Sequence, residues 1–442
     1  MTSGGTSPQG TWATIRPMPP PSQPSPARAA PLRVAILGAG TVGREVVRGL
    51  LEDSDRLTPA DGAPLRLVGI AVRDVGAARA RGLPEELLGD APAHLVASPD
   101  TDVVVELLGG DEPAATLIAA ALSAGKAVVT ANKHVVAHHG PELEAISRRT
   151  GAPLRFEAAV GGGIPVLGPL AADLAANRVT SVRGIVNGTT NHILSEMAEG
   201  RGTYEAVLRV AQERGYAEAD PSGDVEGRDA TNKLVILARL AFGGWLDPAT
   251  IEDRPPSLRG RGSPGITGVT APELAGAKAL GLMLRLIASA TPETAGVVPT
   301  AVPADSPLGR TSGVRNRIEI RGEPVGMVGL DGPGAGGGAT SSAVLGDLVA
   351  LARGGGSTWA GRPPAERAPA RARAGDETTG RWFAFLPDAE AGRMIRNVAE
   401  AHADTHSGVA IRTAAMSLTS LRSSLLAGAP DTLDPQLYPI DD

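Results

Sequence analysis

The chain has 442 residues, 42% of them hydrophobic and only 2% aromatic, with 57 glycines, 37 prolines and a formal net charge of -6. This length supports two or three domains with cores of Ala, Val, Leu and Ile, and the acidic balance removes any general electrostatic reason to bind nucleic acid or an anionic membrane. The absence of cysteine excludes disulfides, thiolate metal sites and every route through a cysteine thioester.

Residues 1–31 carry eight prolines and almost no aliphatic run, which predicts a disordered tail. From Leu32 the segments LRVAIL, TVGREVVRGLLED, LRLVGIAVRD, DVVVELLGG, AATLIAAALSAG, KAVVTANK, PELEAISRRTG and PLRFEAAV alternate short apolar runs with helical stretches. That rhythm is the signature of a parallel sheet covered on both faces, a Rossmann-type domain over 32–165. After Gly163 the rhythm shifts: a strand at 182–186 and helices at 191–199, 203–214 and 228–242 predict an α+β domain over 166–330. A glycine loop and helix at 331–353 return to the first domain, and 354–380 reads as a low-complexity linker. RWFAFL, EAGRMIRNVAEAHA, GVAIRTAAM and SLTSLRSSLLAG then predict a small βαβα unit over 381–442. The class is α/β overall. No run reaches the roughly eighteen apolar residues of a membrane helix, and the start lacks a secretory layout. A cytoplasmic protein acting on a small molecule is expected.

Gly38-Ala39-Gly40-Thr41-Val42-Gly43 matches G-x-G-x-x-G between a strand and a helix, the context that motif requires. Gly38 serves the tight turn, Gly40 admits the pyrophosphate to the backbone, and Gly43 permits close helix packing. The N–H groups opening the helix, at Thr41 and Val42, face the phosphates. Arg73 ends the second strand, where an arginine accommodates the 2′-phosphate of NADP. Asp74 beside it is of the type that grips the ribose of NAD.

Downstream, the stretch from Gly215 to Lys233 concentrates Glu218, Asp220, Asp224 and Asp229 ahead of a helix in which Asp229 and Lys233 lie four apart on one face. An ammonium at the mouth of the apolar run LVILARLAF, ringed by carboxylates, is a site-like environment. Oxidation of an alcohol by hydride transfer needs a group to take the hydroxyl proton, which Lys233 supplies, while carboxylates hold a substrate ammonium. Lys133 closes the strand AVVTANK at the sheet edge where such folds place ligands. Glu157, Val160, Gly162 and Ile164 offer one carboxylate and loop carbonyls to a hard cation, and the glycine loop around Gly336 presents N–H groups toward the cofactor. No histidine has a zinc spacing.

Together GAGTVG, TANK, FEAAVGGGIPV, NGTTN, GYAEADPSGDVEGRDATNK and GPGAGGGATSSAVLGD resemble homoserine dehydrogenase over about three quarters of the chain. The resemblance implies NAD(P)-dependent interconversion of homoserine and aspartate 4-semialdehyde on the route to threonine and methionine. It implies Lys233 as proton donor and acceptor, with Lys133 beside the reacting carbon and Asp229 in the same catalytic set. Gly215, Glu218, Asp224 and Asp229 fall in its substrate segment, and Gly336 is a cofactor contact. Glu157, Val160, Gly162 and Ile164 match a monovalent cation site, usually sodium, and a homodimer or tetramer is implied through the middle domain. Two departures stand out. Gly338-Ala-Thr-Ser replaces Met-Pro-Thr-Ala, which loosens that turn, and the tail is at best a degenerate ACT-like unit, since the segment from Pro387 lacks a compact ligand loop. Aspartate-semialdehyde dehydrogenase is excluded by the missing cysteine. A dehydrogenase of another small amino or hydroxy acid and a catalytically silent NAD(P)-binding regulator remain open.

Overall fold

The computed structural model describes residues 30–373, 379–387, 398–426 and 432–441. All but the end of the expected N-terminal tail lies outside these, as do most of the segment following Pro387 and the first part of the helix expected from Glu390. The first sheet is parallel, with strands β1 (Leu32–Leu37), β2 (Leu65–Ala71), β3 (Leu88–Gly89), β4 (Val103–Glu106), β5 (Ala127–Thr130) and β6 (Leu154–Arg155) in the order β3-β2-β1-β4-β5-β6. This is the doubly wound order whose direction reverses between β1 and β4 and opens a crevice at the carboxyl ends of those strands. β1 and β4 are apolar almost throughout and buried on both faces, as a helix-covered parallel sheet requires. One face carries the helix Thr41–Glu52, whose Val46, Val47 and Leu50 pack with Val344 and Leu348 of the helix Gly337–Ala352. That late helix therefore belongs to the cofactor sheet despite its distance in sequence.

The second sheet begins with the open edge strand Gly326–Pro333 and continues through Arg315–Glu323, β7 (Arg178–Ile185), Leu282–Ala290 and Thr294–Pro303, each antiparallel to the next. The helix Arg228–Phe242, one of whose faces packs on this sheet, has thirteen buried residues. It begins after Gly227 (φ 88°) and ends at Gly243 (φ 85°), both left-handed, so its limits agree with those expected from the sequence.

Two expectations fail. The segment 354–380 is not a loose linker over its described part. Ser357 Oγ accepts from Leu154 N at 3.1 Å, Thr358 N donates to Leu154 O at 3.0 Å, and Phe156 N donates to Thr358 Oγ1 at 3.1 Å, so 357–358 line the open edge of β6. Trp359 is then 2% exposed, 5.4 Å from the Phe156 ring and 6.5 Å from Trp245. A single large aromatic buries enough surface to hold a strap of otherwise weak composition.

Nor is the C-terminal part a separate βαβα unit. Thr379–Leu386, Ala399–Thr405 and Gly408–Thr413 are strands, so the described end of the helix expected from Glu390 is extended. Its alternating half-buried and exposed residues have the period of a strand rather than a helix. The last strand, Leu437–Ile440, lies between Thr379–Leu386 and Thr294–Pro303 and joins this part to the second sheet, with Asp441 N donating to Ala301 O at 3.0 Å. Trp382, Ala384 and Leu386 face a local core with Leu421 and Leu425, while Phe383 and Phe385 face the main core. Among the described residues no helix is long and apolar enough to cross a membrane.

Candidate active site

The cofactor turn leaves β1 at Gly38 (φ 97°), where a Cβ would meet Leu107 O at 2.6 Å, and a Cβ on Gly43 would meet Gly38 O at 2.1 Å. Both positions admit glycine only. A Cβ on Gly40 would meet nothing within 4 Å, so there the backbone faces open space. Gly40 supplies no side-chain cap to the helix beginning at Thr41, and the first N–H groups of that helix are left for an anion. A cavity of about 320 Å³ runs from Gly38 and Gly40 past Leu107 to Arg73, Asp74 and Arg81. Asp74 Oδ1 accepts from Ala77 N at 2.8 Å as the cap of its own helix. Neither Arg73 nor Arg81 pairs with a carboxylate among the described residues. A glycine cradle, free helix N–H groups and two unengaged guanidiniums fit a phosphate-bearing dinucleotide. Arg81 was missed in the sequence, although a basic residue following the second strand by less than three turns of chain is a usable signal.

The glycine loop before the helix Gly337–Ala352 lies against the same turn. Gly336 (φ 110°) opens the helix with space around its Cα, and a Cβ on Gly337 would sit 3.1 Å from Thr41 Cγ2.

Across the crevice, Lys133 begins the helix Lys133–Thr150 directly after β5, where Asn132 Oδ1 accepts from Val135 N at 3.2 Å. Asp229 stands in the first turn of Arg228–Phe242 and is 9% exposed. Its Oδ1 is 3.0 Å from Lys133 Nζ, and its Oδ2 accepts from Lys233 Nζ at 2.7 Å. Lys233, 8% exposed, also donates to Val186 O at 2.7 Å, just beyond β7. One carboxylate thus joins two ammoniums from different domains. Burial opposes ionisation of Asp229, but Lys233, Lys133 and the Asn187 amide outweigh it and hold the carboxyl far below its ordinary range. Asp229, together with Asp224 and Glu218, outweighs desolvation at Lys133 and raises the pKa of that ammonium.

Asn187 was missed as a site residue, although NGTTN is a visible helix-start signal. Its Oδ1 accepts from Thr190 N at 2.8 Å, capping Gly188–Ala198, and its Nδ2 donates to Asp224 Oδ1 at 2.7 Å and to Asp229 Oδ2 at 2.8 Å. It therefore fixes two of the expected carboxylates. Lys133, Glu218, Asp220, Asp224 and Asp229 line a cavity of about 590 Å³, together with His134 and His138, whose rings stack at 4.2 Å. Gly215 (φ 72°) is not in that wall; it follows the end of the helix Tyr204–Glu213.

The expected cation ligands are in one loop, with a difference. The Glu157 carboxylate accepts from the N–H groups of Val166, Leu167 and Gly168 at 2.7, 2.9 and 2.6 Å, so its side chain is spent on the chain turn rather than offered to an ion. Burial raises its pKa against those three bonds. Gly161 (φ 77°) and Gly162 (φ 60°) turn the backbone, and among the described residues no donor reaches the carbonyls of Val160, Gly162 or Ile164. Uncharged carbonyl oxygens without donors fit a hard cation of low charge.

A dinucleotide cradle at the carboxyl end of the parallel sheet and, after β5 at that same end, an acidic cavity lined by Lys133 and Asp229, with Lys233 bound to Asp229 but outside the lining, fit a nicotinamide-dependent dehydrogenase of a small polar alcohol. Residues 38–157 match the family described as homoserine dehydrogenase, NAD binding domain, and residues 165–349 match homoserine dehydrogenase. The homoserine dehydrogenase of Synechocystis sp. is 40% identical over 324 residues, 72% of each chain, and that of Corynebacterium glutamicum 38% over 391 residues, 86% of this chain and 84% of the relative. The structure of the Thiobacillus denitrificans enzyme superposes with a TM-score of 0.80 at 32% identity, covering 94% of this chain and 100% of that one. A hyperthermophilic archaeal homoserine dehydrogenase solved in complex with NADPH superposes over 72% of this chain and 97% of its own, with a TM-score of 0.61 at 28% identity. The chain belongs to the homoserine dehydrogenase family. Its reaction is the family's, the NAD(P)-dependent interconversion of L-homoserine and L-aspartate 4-semialdehyde, which serves threonine and methionine synthesis.

Proposed function

We propose that Lys233, having released one proton to solvent, receives the hydroxyl proton of homoserine as the neutral amine during oxidation and returns it as the ammonium in the reverse direction, with Asp229 holding Lys233 and Lys133 in register. The observation that carries this reading is the Asp229 bridge, 2.7 Å to one ammonium and 3.0 Å to the other. When bound, the nicotinamide supplies the hydride acceptor. The chain's own part is to orient the alcohol and move its proton. Glu218 and Asp224 in the cavity wall attract the substrate ammonium, and Lys133 lies beside the reacting carbon, where its charge stabilises the developing alkoxide.

The preferred cofactor in this reading is NADP. It is supported by Arg73 and Arg81 at one end of the cofactor cavity and by the engagement of Asp74 as a helix cap, which removes the carboxylate that would favour the unphosphorylated ribose. A monovalent cation such as sodium is held by the carbonyls of Val160, Gly162 and Ile164. The chain divides into a cofactor domain at 32–165, a catalytic and dimerisation domain at 166–330 and the returning segment at 331–353. A homodimer is supported by the open edge strand Gly326–Pro333 with exposed Met327.

The test follows nicotinamide reduction by the purified chain with L-homoserine, using NADP+ and NAD+ in parallel and L-threonine as a control alcohol. Homoserine-dependent reduction that is faster with NADP+ supports the reading. Equal rates with the two cofactors refute the NADP preference, and no homoserine-dependent reduction refutes the catalytic assignment.

A further inference from the structure

The two glycine loops of the site touch, and beside their contact stands a side chain that nothing satisfies. Asn316, second residue of the strand Arg315–Glu323, is 0% exposed, and among the described residues neither its Oδ1 nor its Nδ2 has a hydrogen-bond partner. An unmet buried polar group is costly, and native structures rarely leave one without a reason. Both amide atoms are closed to solvent, so bulk water does not satisfy them.

The neighbours of Asn316 narrow the choice. Asn316 pairs with Gly332 across the hairpin, and its carboxamide lies on the Cα of Gly334, where a Cβ would be 2.2 Å from Nδ2 and 2.5 Å from Oδ1. Gly162 presses on the same residue: a Cβ on Gly162 would be 2.5 Å from Gly334 C, and Gly163 N donates to Pro333 O at 3.1 Å. A Cβ on Gly332 would be 3.1 Å from the Ile164 side chain. The unpartnered amide and the loop that carries the donor-free carbonyls of Val160, Gly162 and Ile164 therefore meet at Gly334.

We propose that Asn316 Oδ1 is a side-chain oxygen ligand of the monovalent cation, an inference that rests on the cation reading given above. Hard cations take several oxygen ligands, and a carboxamide oxygen adds one of the same uncharged kind as the loop carbonyls. With the Glu157 carboxylate held by three N–H groups, the set carries no free negative charge. A doubly charged ion would be left uncompensated in a buried site, so the set selects a single charge. Bound there, the ion links the loop 160–164 to the segment 332–336 and thereby seats Gly336 and Gly337 against Thr41 at the start of the cofactor helix. A second tether supports the same placement, since Asp347 of the Gly337–Ala352 helix accepts from Glu157 N at 2.8 Å.

The experiment measures thermal unfolding of the cofactor-free full chain in NaCl, KCl and tetramethylammonium chloride at equal ionic strength. An ion that binds only the folded chain raises Tm with its concentration. The wild type is expected to gain Tm in sodium or potassium over tetramethylammonium. In Asn316→Ala the ion concentration giving half that gain rises by about tenfold or more. Asn316→Asp, which keeps the shape and adds a charge, gains a rise with Mg2+ or Ca2+ that the wild type lacks. No ion-specific rise in the wild type overturns the cation reading itself and leaves a buried water as the partner of Asn316. A wild-type rise that Asn316→Ala retains with an unchanged midpoint overturns the role of Asn316 alone. Should Asn316→Ala not fold, Asn316→Asp decides, and the absence of a divalent response overturns the assignment.

Discussion

Replacing Asp229 with asparagine changes one charge and almost no volume, yet it affects two ammoniums at once. The asparagine oxygen can still accept from Lys233 and Asn187 where Asp229 Oδ2 does, at 2.7 and 2.8 Å. Its NH2 group then faces Lys133 Nζ, donor against donor, at the 3.0 Å contact. At an effective dielectric of about 20 each lost ion contact is worth on the order of 5 kcal/mol gross. Solvent screening removes most of the Lys133 share, since that side chain is 43% exposed, but little of the Lys233 share at 11%. The net expectation is a loss of about 3–5 kcal/mol, the usual cost of breaking a buried pair, measured by urea denaturation near neutral pH. Homoserine oxidation by the folded variant should fall by about 10²–10⁴ in kcat, the range for a displaced acid–base group. The Asp229 charge is the main cause of the raised Lys133 pKa, so the limb of the pH–rate profile that reports Lys133 should move to lower pH. Stability within about 1 kcal/mol of wild type and kcat within about threefold would refute the bridge as the organiser of the site.

Glu144 accepts from Arg239 Nη2 at 2.6 Å, Arg148 Nη2 at 2.6 Å and Trp245 Nε1 at 2.7 Å. Arg239 is fully buried, so Glu144→Gln should cost about 3 kcal/mol or more in denaturant melts at neutral pH. Desolvation opposes these partners, which nonetheless hold the Glu144 pKa down. Its contribution is therefore full above the unfolded value of about 4.3 and is lost as pH falls through the lower folded value, so the gap between wild type and variant should narrow in acid. Trp359→Ala empties a buried aromatic site and should cost about 3–5 kcal/mol; a loss below about 1 kcal/mol would return 357–363 to the status of a loose linker. Arg73→Ala and Arg81→Ala should each raise KM for NADP+ by about tenfold, the worth of one charge-assisted hydrogen bond, with KM for NAD+ unchanged. A parallel rise for both cofactors would deny these arginines a role at the 2′-phosphate.

The parallel sheet was legible because burial on both faces forces apolar runs, and G-x-G-x-x-G stood at its required strand-to-helix junction. The helix 228–242 was legible because glycine flanks it on both sides and a continuous apolar face follows Lys233. The strap through Trp359 was hidden because one anchoring residue is embedded in Gly, Ser and Pro. The strand Leu437–Ile440 was hidden because four residues carry too little periodicity. Its role depends on a partner strand about 140 positions earlier, which local pattern does not reveal. In the site, charged residues announced themselves by type, whereas Asn187 and the Glu157 carboxylate act through hydrogen bonds whose partners only the fold brings close, and Asn316 stands out only by burial without a partner among the described residues. The engagement of the Glu157 carboxylate was hidden for that reason: three backbone N–H groups, nine to eleven residues onward, reach it in the fold.

Movement of the hydroxyl proton by Lys233 is decided by kcat for L-homoserine oxidation in Lys233→Ala, with NADPH binding measured on the same preparation by fluorescence. The kcat should fall by at least about a hundredfold at an unchanged Kd for the cofactor. A kcat within about threefold of wild type at equal cofactor affinity would contradict that role of Lys233.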